Sequence, residues 1–106
     1  MSTIVLRSKV VGEEVLVQIN FLSRLAVGET LLTVDRTVVV ASGVDANPSA
    51  MLSGAATISG TIVRQMIING LPGVIYLLTV AVRTSNSQLL FNHGKLAVLS
   101  NLPLTN

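Results

Sequence analysis

The sequence predicts an all-β protein, a single antiparallel sandwich of about seven strands. Three observations carry that expectation. The apolar residues are mostly β-branched Val, Ile and Thr, which suit a pleated surface. Apolar and polar residues alternate with a period of two in several segments. Turn-forming clusters of Gly, Pro, Asn and Ser recur about every 8–12 residues. No segment carries a helical period.

Residues 14–21 read as the first clear strand, with Val15, Val17, Ile19 and Phe21 on one face and Leu16, Gln18 and Asn20 on the other. Residues 22–29 hold Ser23, Arg24 and Gly28 and read as a loop. Residues 30–41 form one long strand, or two kinked near Asp35-Arg36. The stretch 42–50, with Gly43, Asp45, Asn47 and Pro48, is the longest loop. Strands 51–59 and 61–69 flank Ser59-Gly60, and 70–73 is a tight turn. In residues 74–84 both faces are apolar, so this strand is expected in the middle of a sheet, one face in the core and the other covered. A turn at 85–87 leads to the last strand, 88–99, and a polar tail, 100–106. Seven strands so spaced are the pattern of an immunoglobulin-like sandwich spanning residues 1–106 as one domain. Residues 1–12 serve as an N-terminal arm or first edge strand. Arg36, Arg64, Arg83 and Lys95 are candidates for blunting the sheet edges.

Half of the 106 residues are hydrophobic and 11% are charged. That is too apolar for a disordered chain. A net charge of +2 with three aromatics excludes an extended basic-aromatic surface for nucleic acid. With no Cys there are no disulfides, thiolate metal sites or thiol nucleophiles. No signal peptide is readable. Two uncharged windows, 46–63 and 65–82, are broken by Asn47-Pro48 and by Asn69-Gly70-Leu71-Pro72-Gly73, so neither makes a membrane-spanning helix. The composition disfavours an enzyme and favours a protein that buries its surface against partners.

The individual motifs agree. His93, the one histidine, has no companion ligand in sequence and reads as a strand residue. Glu13 and Glu14 are adjacent and point to opposite faces of a strand, so they do not form a carboxylate pair. A Ser/His/Asp site would need His93 with Asp35 or Asp45, and no nucleophile-elbow motif accompanies them. Glycines 54, 60, 70, 73 and 94 form no phosphate loop and read as hairpin or bulge glycines. No catalytic, metal-binding or cofactor-binding residue is expected. Tyr76, at the start of a central strand after Gly70-Leu71-Pro72-Gly73, is placed to send its hydroxyl back to the preceding turn.

With these motifs in view, the sequence resembles a family of tailed-bacteriophage virion proteins of the fibre–tail adaptor or neck-region type. Phe21 closing its strand, Gly28-Glu29-Thr30-Leu31, Gly70-Leu71-Pro72-Gly73-Val74-Ile75-Tyr76, Thr84-Ser85-Asn86-Ser87 and Leu96-Ala97-Val98 occur in the family's order. Asn86 stands where members usually carry Gly, Leu71-Pro72 replace smaller residues, and a Trp common in the family is missing. The resemblance covers residues 14–99. It implies an immunoglobulin-like fold in which Tyr76, Gly70, Gly73, Phe21 and Gly28 are structural, and no catalytic residues. It also implies a virion component assembled in the bacterial cytoplasm, in contact with portal, neck, tail or major capsid proteins and present as a homo-oligomer or in many copies. Neither nucleic acid nor membrane is an expected partner.

Within that reading the alternative is a capsid decoration or cement protein. Outside it stands a carbohydrate-binding module, which would stack sugars on exposed aromatics. The candidate contact residues are Ile75 and Leu77 on the outer face of the central strand, Asp45 and Asn47 in the long loop, and Ile4 and Leu6 in the arm. An unanchored apolar arm is expected to add a strand to a neighbour's edge.

Overall fold

In a computed structural model, residues 4–100 are described, the side chain of Ile4 apart. Eight strands form: β1 (Ile4–Val5), β2 (Lys9–Val10), β3 (Val15–Asn20), β4 (Leu31–Ser42), β5 (Leu52–Ser59), β6 (Ile62–Ile67), β7 (Ile75–Thr84) and β8 (Leu89–Leu99). Short 3-10 turns occupy Leu22–Arg24 and Pro48–Met51. The larger sheet has the order β1-β8-β7-β4, with β2 also on β8, and the smaller one β3-β6-β5. Apart from the first strand, this is the immunoglobulin arrangement, second, fifth and fourth strands facing third, sixth and seventh. Counting β1 and β2 as one interrupted edge strand recovers the seven strands expected.

The alternation read in the sequence settles which face is buried. Val17, Ile19 and Phe21 from β3 and its end meet Val63 and Ile67 from β6. Against them stand Tyr76, Leu78, Val80 and Val82 of β7 and Leu96 and Val98 of β8. Each strand contributes every second residue, as a pleat buried on one side requires. Gly60 at φ +61° begins the two-residue loop of the β5–β6 hairpin, a backbone region that a side chain resists.

Several expectations need correction. Of the two alternatives for residues 30–41, the single long strand holds and the kink at Asp35-Arg36 does not: pairing of β4 with β7 runs in register from Thr33 to Val40, and the irregularities lie at its two ends. Arg64, Arg83 and Lys95 lie on β6, β7 and β8, each paired on both sides, so they blunt no edge. Gly94 is no bulge: it pairs regularly with Leu78, and a Cβ there would stand 2.8 Å from Leu6 Cδ1. The glycine is demanded by close approach, not by φ.

The largest correction concerns the arm. It is anchored within its own chain: β1 and β2 run parallel to β8, Ile4 opposite Gly94 and Lys9 opposite Val98. Backbone bonds Leu6 N–H to Lys95 O and Val11 N–H to Leu99 O, both 2.8 Å, tie the ends of the two short strands. Leu6 packs on the core, so it is not a free contact residue. Residues 1–3 and the tail from 101 to 106 lie outside the described residues.

Candidate interaction surface

The Tyr76 ring is buried, and its hydroxyl works in two directions. It accepts the Leu71 N–H at 2.8 Å and donates to Asp45 Oδ2 at 2.7 Å. Gly70 and Gly73, at φ +92° and +83°, shape the turn that presents the Leu71 amide. Burial raises the Tyr76 pKa above the usual phenol value, and the Asp45 charge adds to this while the Leu71 bond opposes it. Asp45 Oδ1 also accepts the Asn47 N–H at 2.9 Å. Asp45 is therefore engaged by its own chain, whereas Asn47 is exposed at the start of the Pro48–Met51 turn.

Gly28 at φ +82° turns the chain so that Glu29 faces inward. Its Oε1 accepts the Ala26 N–H at 2.9 Å and its Oε2 accepts the Thr84 hydroxyl. The Thr84 bond, then the Ala26 bond, hold the Glu29 pKa below the usual carboxylate value against a smaller effect of burial. Phe21 is wholly buried.

Sequence reasoning passed over two polar groups in the interior. Lys9 has no exposed surface, and its Nζ donates to Asn69 O at 2.7 Å. Loss of water lowers its pKa, opposed by the charges of Glu13 and Glu14. Gln65, also buried, donates to Met66 O at 2.8 Å and accepts from Arg36 Nε at 2.9 Å. Arg36 Nη2 continues to Gly54 O at 2.7 Å, bridging the two sheets. The Gln65 position was legible as the middle of an inward row with Val63 and Ile67. Lys9 gave no comparable signal.

The outward face of the larger sheet is where the sequence placed Ile75 and Leu77. Register builds it in rows across β4, β7 and β8: Asp35–Ala81–Phe91, Thr37–Thr79–His93 and Val39–Leu77–Lys95. Val39 is 50% exposed, Phe91 40% and Ile75 36%, while Leu77 is half-buried. Leu89 and Leu99, also exposed, extend the apolar surface to both ends of β8. The expected cover over β7 is not supplied by the described residues. His93 Nδ1 lies 2.9 Å from the Thr79 hydroxyl within its row, and Asp35 Oδ1 accepts the Arg36 N–H at 2.8 Å.

Among the described residues no group of three or more His, Asp or Glu is placed to hold a metal ion. No helix among them is long and apolar enough to cross a membrane. Two of the three aromatics, Phe21 and Tyr76, are buried, leaving Phe91 as the one ring at the surface. Compared with models of known protein families and with curated proteins, the sequence finds no match.

Proposed function

We propose that this chain is a non-enzymatic structural protein of a tailed-phage particle that joins or stabilises assemblies through protein–protein contacts, at the head–tail neck or as a fibre–tail adaptor. The observation that carries the reading is the outward face of the larger sheet. It carries Val39, Leu77 and Ile75 on one side of the central Thr37–Thr79–His93 row and Phe91 and Leu89 on the other, with Asp35, Arg83 and Lys95 as its charges. Several large apolar side chains exposed on one sheet face of a small domain favour a contact surface there. The sequence resemblance over residues 14–99 supplies the setting. The 11% charge content fits a protein whose surface is covered in a repeating assembly.

The test is the protein's presence and copy number in purified particles of its source. About five, six or twelve copies per particle, the orders of closed rings, support the neck or adaptor placement. Hundreds of copies on the shell place it as a decoration protein instead. Absence from the particles overturns the reading. A Phe91→Ser, Val39→Ser double variant that folds normally should incorporate poorly.

A further inference from the structure

Among the described residues the two sheets have several edges, and all but one are guarded within their own strands or by neighbouring segments. The Gly54 carbonyl of β5 is taken by Arg36, beside a register shift between Ser53 and Thr57. β4 is flanked by β5 and the Pro48–Met51 turn. On β8, before its pairing with β1 begins, the Phe91 carbonyl accepts from Arg24 Nη1 at 2.7 Å. The β1 and β2 edge is only two residues long in each part. Short strands, bulges and capping charges are the usual ways of preventing strand addition.

β3 has none of them within the strand, although the exposed Arg7 lines the cleft beside residues 15–18. Among the described residues it pairs with β6 alone, in unbroken register from Val15–Ile67 to Asn20–Ile62. Its sequence, Val15-Leu16-Val17-Gln18-Ile19-Asn20, contains no charge, Pro or Gly. The Phe21 N–H donates to Thr61 O at 2.8 Å. Hydrogen-bonded and non-bonded pairs alternate in an antiparallel ladder. The odd-numbered residues of β3 therefore bond to β6, and the N–H and C=O groups of Leu16, Gln18 and Asn20 point off the free edge. The segment 6–8 does not fill this place: a cleft of about 330 Å³ lies between it and residues 15–18.

We propose that the free edge of β3 pairs antiparallel with β3 of a second copy, about a two-fold axis at Gln18, making one continuous six-stranded sheet. β3 is complementary to itself in this register. Leu16 stands opposite Asn20 of the second copy and Gln18 opposite its own equivalent. These pairs supply about six backbone hydrogen bonds, two for each bonded pair. Residues opposite one another share a face, so Val17 meets Ile19 on the inner side and no like charges oppose each other on the strands. In this register the second copy's Asn20, opposite Leu16, enters the cleft lined by Leu6, Arg7 and Ser8, and the arrangement is isologous, so it closes as a dimer. The proposal rests on the reading above only for the premise that copies of this chain meet.

The test uses the purified full chain. Light scattering should report a dimer. Gln18→Pro removes an outward N–H without touching the β6 ladder, and should give a monomer with unchanged circular dichroism. If that variant fails to fold, Leu16→Lys, a charge on the free edge, carries the same expectation. Phe91→Ser should leave the dimer intact. Because the chain has no Cys, Gln18→Cys installs a single thiol about 5.5 Å (Cα to Cα) from its equivalent, within disulfide reach. Mild oxidation should cross-link it. A monomeric wild type, a dimer that survives folded Gln18→Pro or Leu16→Lys, or one lost in Phe91→Ser, overturns the proposal. A monomer still found in particles removes the edge pairing and spares the virion reading; an edge-paired dimer absent from particles does the reverse.

Discussion

Tyr76 and Asp45, 31 positions apart, are joined by a 2.7 Å hydrogen bond from the phenol to the carboxylate. The bond fixes the connection between β4 and β5 against the start of β7. The same oxygen holds the Leu71 amide, so one buried atom ties two crossings between the sheets.

Tyr76→Phe keeps the ring and deletes both bonds. The Leu71 N–H and Asp45 then lose a partner in a half-dry site, and the expected destabilisation is about 1–3 kcal/mol. Urea denaturation measures it, and a change below about 0.5 kcal/mol, the scale of a neutral surface substitution, would show that the corner contributes little.

Glu29 gives stability a pH dependence. Its folded pKa lies below the ordinary value because Thr84 and Ala26 bond the charged form. The unfolded chain binds the proton more readily, so this stabilisation is present above the usual glutamate pKa and is lost as pH falls through the folded one. Glu29→Gln should flatten the acid limb of a denaturation-midpoint profile. An unchanged slope below the usual glutamate range would count against this origin.

Gly94 and Leu6 form a tight contact between β8 and the arm. In Gly94→Ala the new methyl carbon must displace Leu6, and overpacking of this sort costs about 1–3 kcal/mol. Faster amide exchange over residues 4–11 should accompany the loss. Leu6→Ala in the same chain should restore part of the stability by making room.

Arg36→Met tests the bridge between sheets. It leaves the Gln65 carbonyl oxygen buried without its guanidinium partner and leaves the Gly54 carbonyl at the β5 edge only the 3.3 Å bond from Gln65 Nε2. A loss of about 1–3 kcal/mol is expected from the unpaired group, together with concentration-dependent aggregation seen in light scattering. An Arg36→Met, Gln65→Leu double variant, with both partners apolar, should recover much of the loss.

Local pattern determined a good deal. The alternation in residues 14–21 and 74–84 named the inward residues of β3 and β7, because a pleat assigns faces by parity alone. Gly70, Gly73 and Pro72 announced the turn beneath Tyr76, since few residues accept those backbone angles. Tertiary structure decided what parity leaves open. Whether a strand lies inside a sheet or at its edge depends on partners distant in sequence, which is why Arg64, Arg83 and Lys95 looked like guards and are interior. The arm's weak alternation could not reveal β8 as its partner, because parallel pairing to a strand 90 residues away leaves no local trace. For the same reason nothing local marked Lys9 as buried, and only the packed fold sets it against the Asn69 carbonyl.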